Sequence, residues 1–185
     1  MAVFAICGPS GAGKDTLIAA LERARPDIRV VRRIVTRPAE AGGEPFVPAT
    51  EAEFSEMVER GDLALHWRAH GLRYGIPISA LGAAEAGETV LFNASRATLA
   101  EAARRFPGLG VILVTASPET LAARLSARGR ESAAQIRERL ARAPAFELPA
   151  GLRVIRIDND GAIETAAAAL IAALGGPDDH MRGER

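Results

Sequence analysis

Gly8-Pro9-Ser10-Gly11-Ala12-Gly13-Lys14-Asp15 carries the clearest chemistry in the chain. Three glycines in six residues let successive backbone N–H groups turn inward around an anion. An apolar run, Ala2 to Cys7, precedes the loop, and Leu17, Ile18 and Leu21 follow it at helical spacing. Strand, glycine-rich loop and helix together put the anion at a helix N-terminus, where the dipole is positive. Lys14 can then reach terminal phosphates as a compact charge. The expected chemistry is the binding of a nucleotide polyphosphate by Gly8 to Asp15, and transfer from it.

Composition sharpens that expectation. Of 23 basic residues, 22 are arginine, and Lys14 is the only lysine. A guanidinium is broad and planar, whereas an ammonium fits a tight backbone cradle. The usual pattern has Ser or Thr after the lysine, to ligate Mg2+. Here Asp15 and then Thr16 stand in that place. Both are hard oxygen ligands, so both are candidates for the metal.

The rest of the composition sets bounds. A chain of 185 residues is most simply one domain with a real core. Net charge of +0 argues against a general nucleic-acid or acidic-membrane binder. The one cysteine, Cys7, has no internal disulfide partner and reads as a core thiol in a reducing compartment. The N-terminal apolar run is short and has no basic leader, unlike a signal peptide. No run is long enough to span a membrane. The expected location is the cytoplasm. Oligomeric state is left open, a homodimer among the options.

The elements that must position the loop follow from periodicity. Strands are expected at Ala2 to Cys7, Ile28 to Val35, Asp62 to Trp67, Leu72 to Tyr74, Thr89 to Phe92, Gly110 to Thr115 and Leu152 to Ile157. Helices are expected from Asp15 to Ala24, from a capping box at Thr50 to Gly61, from Pro77 to Ala86, and from Ser95 to Arg105. Ser117-Pro118 opens another to Ala127, and two more run from Ser132 to Ala143 and from Gly161 to Leu174. Pro38 to Pro48 reads as a long loop, and residues 175–185 as a frayed polar tail. Alternating strands and helices imply an α/β fold with a parallel sheet covered on both faces. Ligands of such sheets bind beyond the carboxyl ends of the strands, where the phosphate loop, Asn93 and Thr115 all fall.

With these elements in place the chain resembles the guanylate kinase-like branch of the nucleoside-monophosphate kinases. The resemblance rests on GPSGAGKD at Gly8 to Asp15, VTRP at Val35 to Pro38, YG at Tyr74-Gly75, and RGRESAAQIRERL at Arg128 to Leu140. It implies a three-layer P-loop kinase domain over residues 1–174, with a five-stranded parallel sheet. It also implies an acceptor-binding insert at about 36–87 and an Arg-rich lid at about 128–143. Arg37 and Tyr74 would grip the acceptor phosphate. Lys14, Arg128 and Arg139 would neutralise the transferring phosphoryl group. Asp158-Asn159 and its neighbours would fall near the adenine. Arg124, on the helix before the lid, could pair across it or reach ATP.

The departures narrow the family. Guanylate kinases carry a second arginine three positions after the first, where this chain has Glu40. They read guanine with a glutamate nine positions before the motif tyrosine, where this chain has Leu65. They carry an aspartate-rich segment after the middle strand, where this chain has Asn93-Ala94-Ser95-Arg96. Losing the base-reading partner removes base specificity. TRPAEAGGE, ALHWRAHGLRYGIP and NASR together resemble the ribose 1,5-bisphosphate phosphokinases of phosphonate degradation. That resemblance implies transfer of the ATP γ-phosphate to the 1-phosphate of a ribose bisphosphate.

The residue types agree with a phosphate acceptor. Its oxygen is already anionic at neutral pH, so alignment and charge neutralisation suffice. Arg33, Arg37, His66, Arg68, His70, Arg73, Tyr74, Asn93 and Arg96 are the candidate substrate-binding residues, a surplus of cations suited to two phosphates beside ATP. A hydroxyl acceptor would call for a positioned carboxylate, and only Asp15 and Asp62 offer one. Arg29 and Arg32 read as a solvated strand face, and Trp67 as packing. The alternatives are another small-metabolite or nucleoside-monophosphate kinase, or a non-catalytic module of this fold.

Overall fold

The computed structural model describes residues 2–39, 45–127 and 148–175. Five parallel strands form the main sheet: β1 (Ala2–Cys7), β2 (Ile28–Val31), β7 (Thr89–Asn93), β8 (Gly110–Thr115) and β9 (Arg153–Asp158), in the order β2-β7-β1-β8-β9. Between β2 and β7 the chain builds a second, four-stranded sheet. It contains β3 (Ile34–Val35), β4 (Val47–Pro48), β5 (Leu63–Ala69) and β6 (Leu72–Pro77), in the order β4-β3-β6-β5. The helices are α1 (Lys14–Ala24), α2 (Glu51–Arg60), α3 (Ser79–Glu85), α4 (Leu99–Arg105), α5 (Pro118–Ala127) and α6 (Ile163–Ala173).

The main sheet is buried on both faces, as its apolar strands require. Val3, Ala5 and Cys7 of β1 point into one core, with Phe92, Val111 and α4 residues Leu99 and Ala102. Phe4 and Ile6 point into the other, with Leu17 and Leu21 of α1 and Leu170 of α6. The Phe4 ring needs Gly110 beside it, since a Cβ there would lie 2.5 Å from the ring. The first core continues into the insert through Leu65 and Ile76, so the small sheet is packed onto the large one.

Two expectations are corrected. Ile28 to Val35 is not one strand: Ile28–Val31 pairs with β7, whereas Ile34 and Val35 pair with Gly75 and Tyr74 of β6. The chain changes sheets at Arg32-Arg33. The loop after Pro38 also carries strand structure, because Val47–Pro48 pairs with Ile34–Val35. Local signals held elsewhere. The capping box is made, with Glu53 N–H donating to Thr50 Oγ1 at 3.2 Å and Thr50 N–H donating to Glu53 Oε2 at 2.7 Å. Gly61 ends α2 in the left-handed region, at φ 73°. No described helix is long and apolar enough to cross a membrane.

Candidate active site

β1 is the central strand, and the chain leaves it to opposite sides: β7 and β2 on one, β8 and β9 on the other. The crevice at its carboxyl end is therefore the topological switch point. The phosphate loop fills that position. Gly8 has φ 152°, and a Cβ on it would lie 2.3 Å from the Val114 carbonyl oxygen. Gly13, the N-cap of α1, has φ 87°. The Lys14 ammonium folds back over the loop and donates to the carbonyls of Gly8 at 2.9 Å and Pro9 at 3.0 Å. Ser10, Gly11 and Ala12 complete the turn, closed by Ala12 N–H to the Pro9 carbonyl at 3.3 Å.

The loops after the other strands converge on this turn. Asn159, after β9, is 1% exposed and donates Nδ2 to the Ala12 carbonyl at 2.7 Å. Asp160 accepts from Ser117 N–H, after β8, at 2.7 Å, and that bond holds its carboxyl below the usual range, with the Arg124 charge helping. Arg124 Nη1, from α5, is buried without a hydrogen-bond partner, 3.7 Å from where a Gly13 Cβ would stand. These features fit a polyphosphate: an orphaned guanidinium nitrogen, inward-turned glycines and an ammonium held over the loop by two of its carbonyls, at a helix N-terminus.

On the β2 side a cleft opens between α1 and the insert. Asp15, Arg32, Arg33, Pro45 and Asn93 line it. Asp15 is exposed and shares this wall with Ile18, Ala19 and Glu22, one face of α1, whereas Thr16, also exposed, does not. Arg33 is half-buried, its guanidinium 4.9 Å from the Tyr74 ring centre. Tyr74 in turn stacks on Trp67, with centroids 5.5 Å apart and planes 10° from parallel. Arg96 is half-buried; with Lys14 its charge reaches Cys7, whose thiol burial still pushes up to about 11.

The pleat divides the remaining candidates. Trp67 pairs with Tyr74, and Arg68 with Arg73, so these pairs face opposite ways. Arg73 lies against α2, over the Phe54 ring at 4.3 Å and donating to Ser55 Oγ at 2.7 Å. His66 and Arg68 are exposed on that same α2 face, and His70 is at the hairpin tip with φ 52°. The structure therefore brings Arg33, Tyr74, Asn93 and Asp15 together and leaves His66, Arg68, His70 and Arg73 apart from them. Arg37 stacks on Phe46 at 4.2 Å and lines a separate open pocket with Thr36, Thr50 and Glu51. Arg128 and Arg139 lie outside the described residues.

Comparison with known proteins identifies the family and the fold. Residues 5–143 match the family described as AAA domain. The ribose 1,5-bisphosphate phosphokinase PhnN of Ruegeria sp. (strain TM1040) is 51% identical over 175 residues, 92% of each chain. That of Thiobacillus denitrificans is 46% identical over 97% of this chain and 96% of its own. The chain belongs to the ribose 1,5-bisphosphate phosphokinase family. A guanylate kinase from Anaplasma phagocytophilum shares the fold, with TM-score 0.66 at 17% identity, over 94% of this chain and 84% of that one.

For a ribose 1,5-bisphosphate phosphokinase relative, two residues matter that sequence patterning passed over. Arg32 is exposed, as a solvated face requires, and also lines the cleft beside Arg33. Its signal was position, immediately beyond the carboxyl end of a parallel strand. Arg29 does behave as surface, paired with Glu88 at 3.4 Å. Asp160 is the second, holding the turns after β8 and β9 together.

Proposed function

We propose that this chain transfers the γ-phosphate of ATP to the 1-phosphate of ribose 1,5-bisphosphate, giving 5-phospho-α-D-ribose 1-diphosphate and ADP. One observation carries the reading. The cleft beside the phosphate loop has Arg32, Arg33 and Asn93 on one side, Asp15 and Glu22 of α1 on the other, and an apolar floor that includes Ile18, Val30 and Val31. The position that would read a guanine edge is Leu65, 1% exposed and sealed in the core. Such a cleft offers charge for phosphates and no hydrogen-bond partner for a base at that position.

The acceptor oxygen attacks the γ-phosphorus in line as the bond to the ADP oxygen breaks. No proton has to leave a phosphate oxygen that is already ionised, so the protein's task is alignment and charge. Gly8 to Gly13 cradle the donor's phosphates. Lys14 follows the charge that develops between β- and γ-phosphates. Arg124 closes over the loop from α5. Asp15 or Thr16 would hold Mg2+, which would supply positive charge against the transferring phosphates. Asp15 has the better placement, since it faces the acceptor cleft. Arg33, Arg32 and Tyr74 hold the acceptor, and Arg128 and Arg139 are assigned to the closing lid.

The test is ADP release with Mg-ATP across an acceptor panel. Ribose 1,5-bisphosphate should turn over, whereas ribose 5-phosphate, which lacks the accepting group, should not. Turnover of a nucleoside monophosphate with none of the bisphosphate would reject the proposal.

A further inference from the structure

Asn159 carries an arrangement that base contact does not explain. It is 1% exposed, so no face of it is open to a ligand. Its backbone N–H donates to the Thr115 carbonyl at 2.9 Å. The next residue, Asp160, donates its N–H to Asp158 Oδ1 at 3.0 Å and accepts from Ser117 N–H at 2.7 Å. The turn is thus fixed at three points. Its amide Nδ2 is aimed at the Ala12 carbonyl, 147 positions away in sequence, at 2.7 Å. The same Nδ2 stands 2.4 Å from where a Cβ on Gly13 would be, so any side chain at position 13 would collide with it. Its Oδ1 is buried with no hydrogen-bond partner. A buried acceptor left unpaired costs free energy, and the arrangement retains it in order to make one bond to the loop.

The bond has a geometric consequence. The chain has no cis peptide among its described residues, so the Ala12–Gly13 unit is planar and trans. In that unit C=O and N–H point in opposite directions. Pinning the Ala12 carbonyl toward the buried Asn159 turns the Gly13 N–H the other way, to the open side of the loop. We propose that Asn159 is a positioning residue. It fixes the orientation in which the phosphate loop presents the Gly13 amide to the phosphates of the donor nucleotide. It touches neither base nor phosphate. The inference rests on the loop binding a nucleoside polyphosphate, and not on which acceptor is used.

The test separates phosphates from base. ADP is titrated by calorimetry, and adenosine by NMR, against the native protein and Asn159→Ala. Loss of one orienting hydrogen bond should weaken ADP about tenfold, while adenosine changes less than twofold. Equal weakening of both would make Asn159 a base contact and overturn the proposal, as would unchanged ADP affinity. Asn159→Ser, one bond shorter, serves if the alanine variant does not fold. A measurement on the native chain stands beside both: the Asn159 side-chain amide resonances should shift with ADP and stay put with adenosine. A shift with adenosine contradicts the proposal. A native protein that binds no ADP would instead reject the nucleotide reading itself.

Discussion

Replacing Lys14 by arginine keeps the charge and changes only its shape. In the structure the ammonium converges on two carbonyls of its own loop, at 2.9 Å and 3.0 Å, from residues six and five positions earlier. A single tetrahedral nitrogen can meet both. A planar guanidinium carries its charge on a wider, longer fork and cannot occupy the same point between them. The stability cost is small, because the side chain is half-exposed and water can take over both carbonyls: about 1 kcal/mol or less. For a chain of this size that is a shift of roughly 2–4 °C in Tm. The catalytic cost is larger, since a preorganised charge displaced from the transferring phosphoryl group costs on the order of 3 kcal/mol in the barrier. Lys14→Arg should therefore lose about 100-fold in kcat/KM, and Lys14→Ala about 1,000-fold. Coupled ADP release with a thermal melt on the same preparation measures both quantities. A Lys14→Arg enzyme within threefold of native activity would refute the cradle geometry.

Other outcomes follow from the same geometry. Arg33→Ala or Arg32→Ala should raise the acceptor KM by roughly 10- to 100-fold while ATP KM moves less than twofold, as expected for a charged hydrogen bond to phosphate; steady-state kinetics with each substrate varied reads this directly. Leu65→Glu would place a carboxylate in a site that is 1% exposed, at a cost of several kcal/mol, so the variant should melt far lower and gain no guanylate kinase activity. A folded Leu65→Glu enzyme that phosphorylates guanosine monophosphate would contradict the packing described. Cys7 gives a pH signature. Burial raises its thiol from 9.0 to about 11, so the folded chain keeps a proton that the unfolded chain releases. Stability from this group is complete below pH 9 and is lost as pH rises from there through 11, by ~3 kcal/mol at most. Melts between pH 8 and pH 10.5 should fall more steeply for the native protein than for Cys7→Ala, and the native thiol should resist alkylation at pH 8 until the chain unfolds.

Much of the layout was legible because its causes are local. The loop from Gly8 to Lys14 depends on positive φ at a few glycines, and the cap at Thr50 depends on Glu53 three residues on. Both signals lie within one turn of the residues they position. The break in Ile28 to Val35 depends instead on partners far away, Leu91 and Phe92 for one half and Tyr74 and Gly75 for the other. Arg32-Arg33 interrupts the apolar residues there, but arginines on one half-exposed strand would give the same pattern, so the change of sheet is not marked. Strand alternation separates His66 and Arg68 from Trp67, but only tertiary packing shows that the Arg73 side looks onto α2 and the Tyr74 side onto the cleft. Asn159 reads as a turn residue next to a strand end. That its amide is buried under the phosphate loop is set by the order of β1, β8 and β9, which no local pattern reveals.

The proposed reaction adds a phosphoryl group to the anomeric phosphate of a sugar bisphosphate. 31P NMR of the native enzyme with Mg-ATP and ribose 1,5-bisphosphate tests it most directly. The account predicts that the 1-phosphate signal is replaced by the coupled pair of a diphosphate, with ADP appearing in equal amount and the 5-phosphate signal unchanged. An unaltered 1-phosphate, or a new diphosphate on the 5-position, would contradict it.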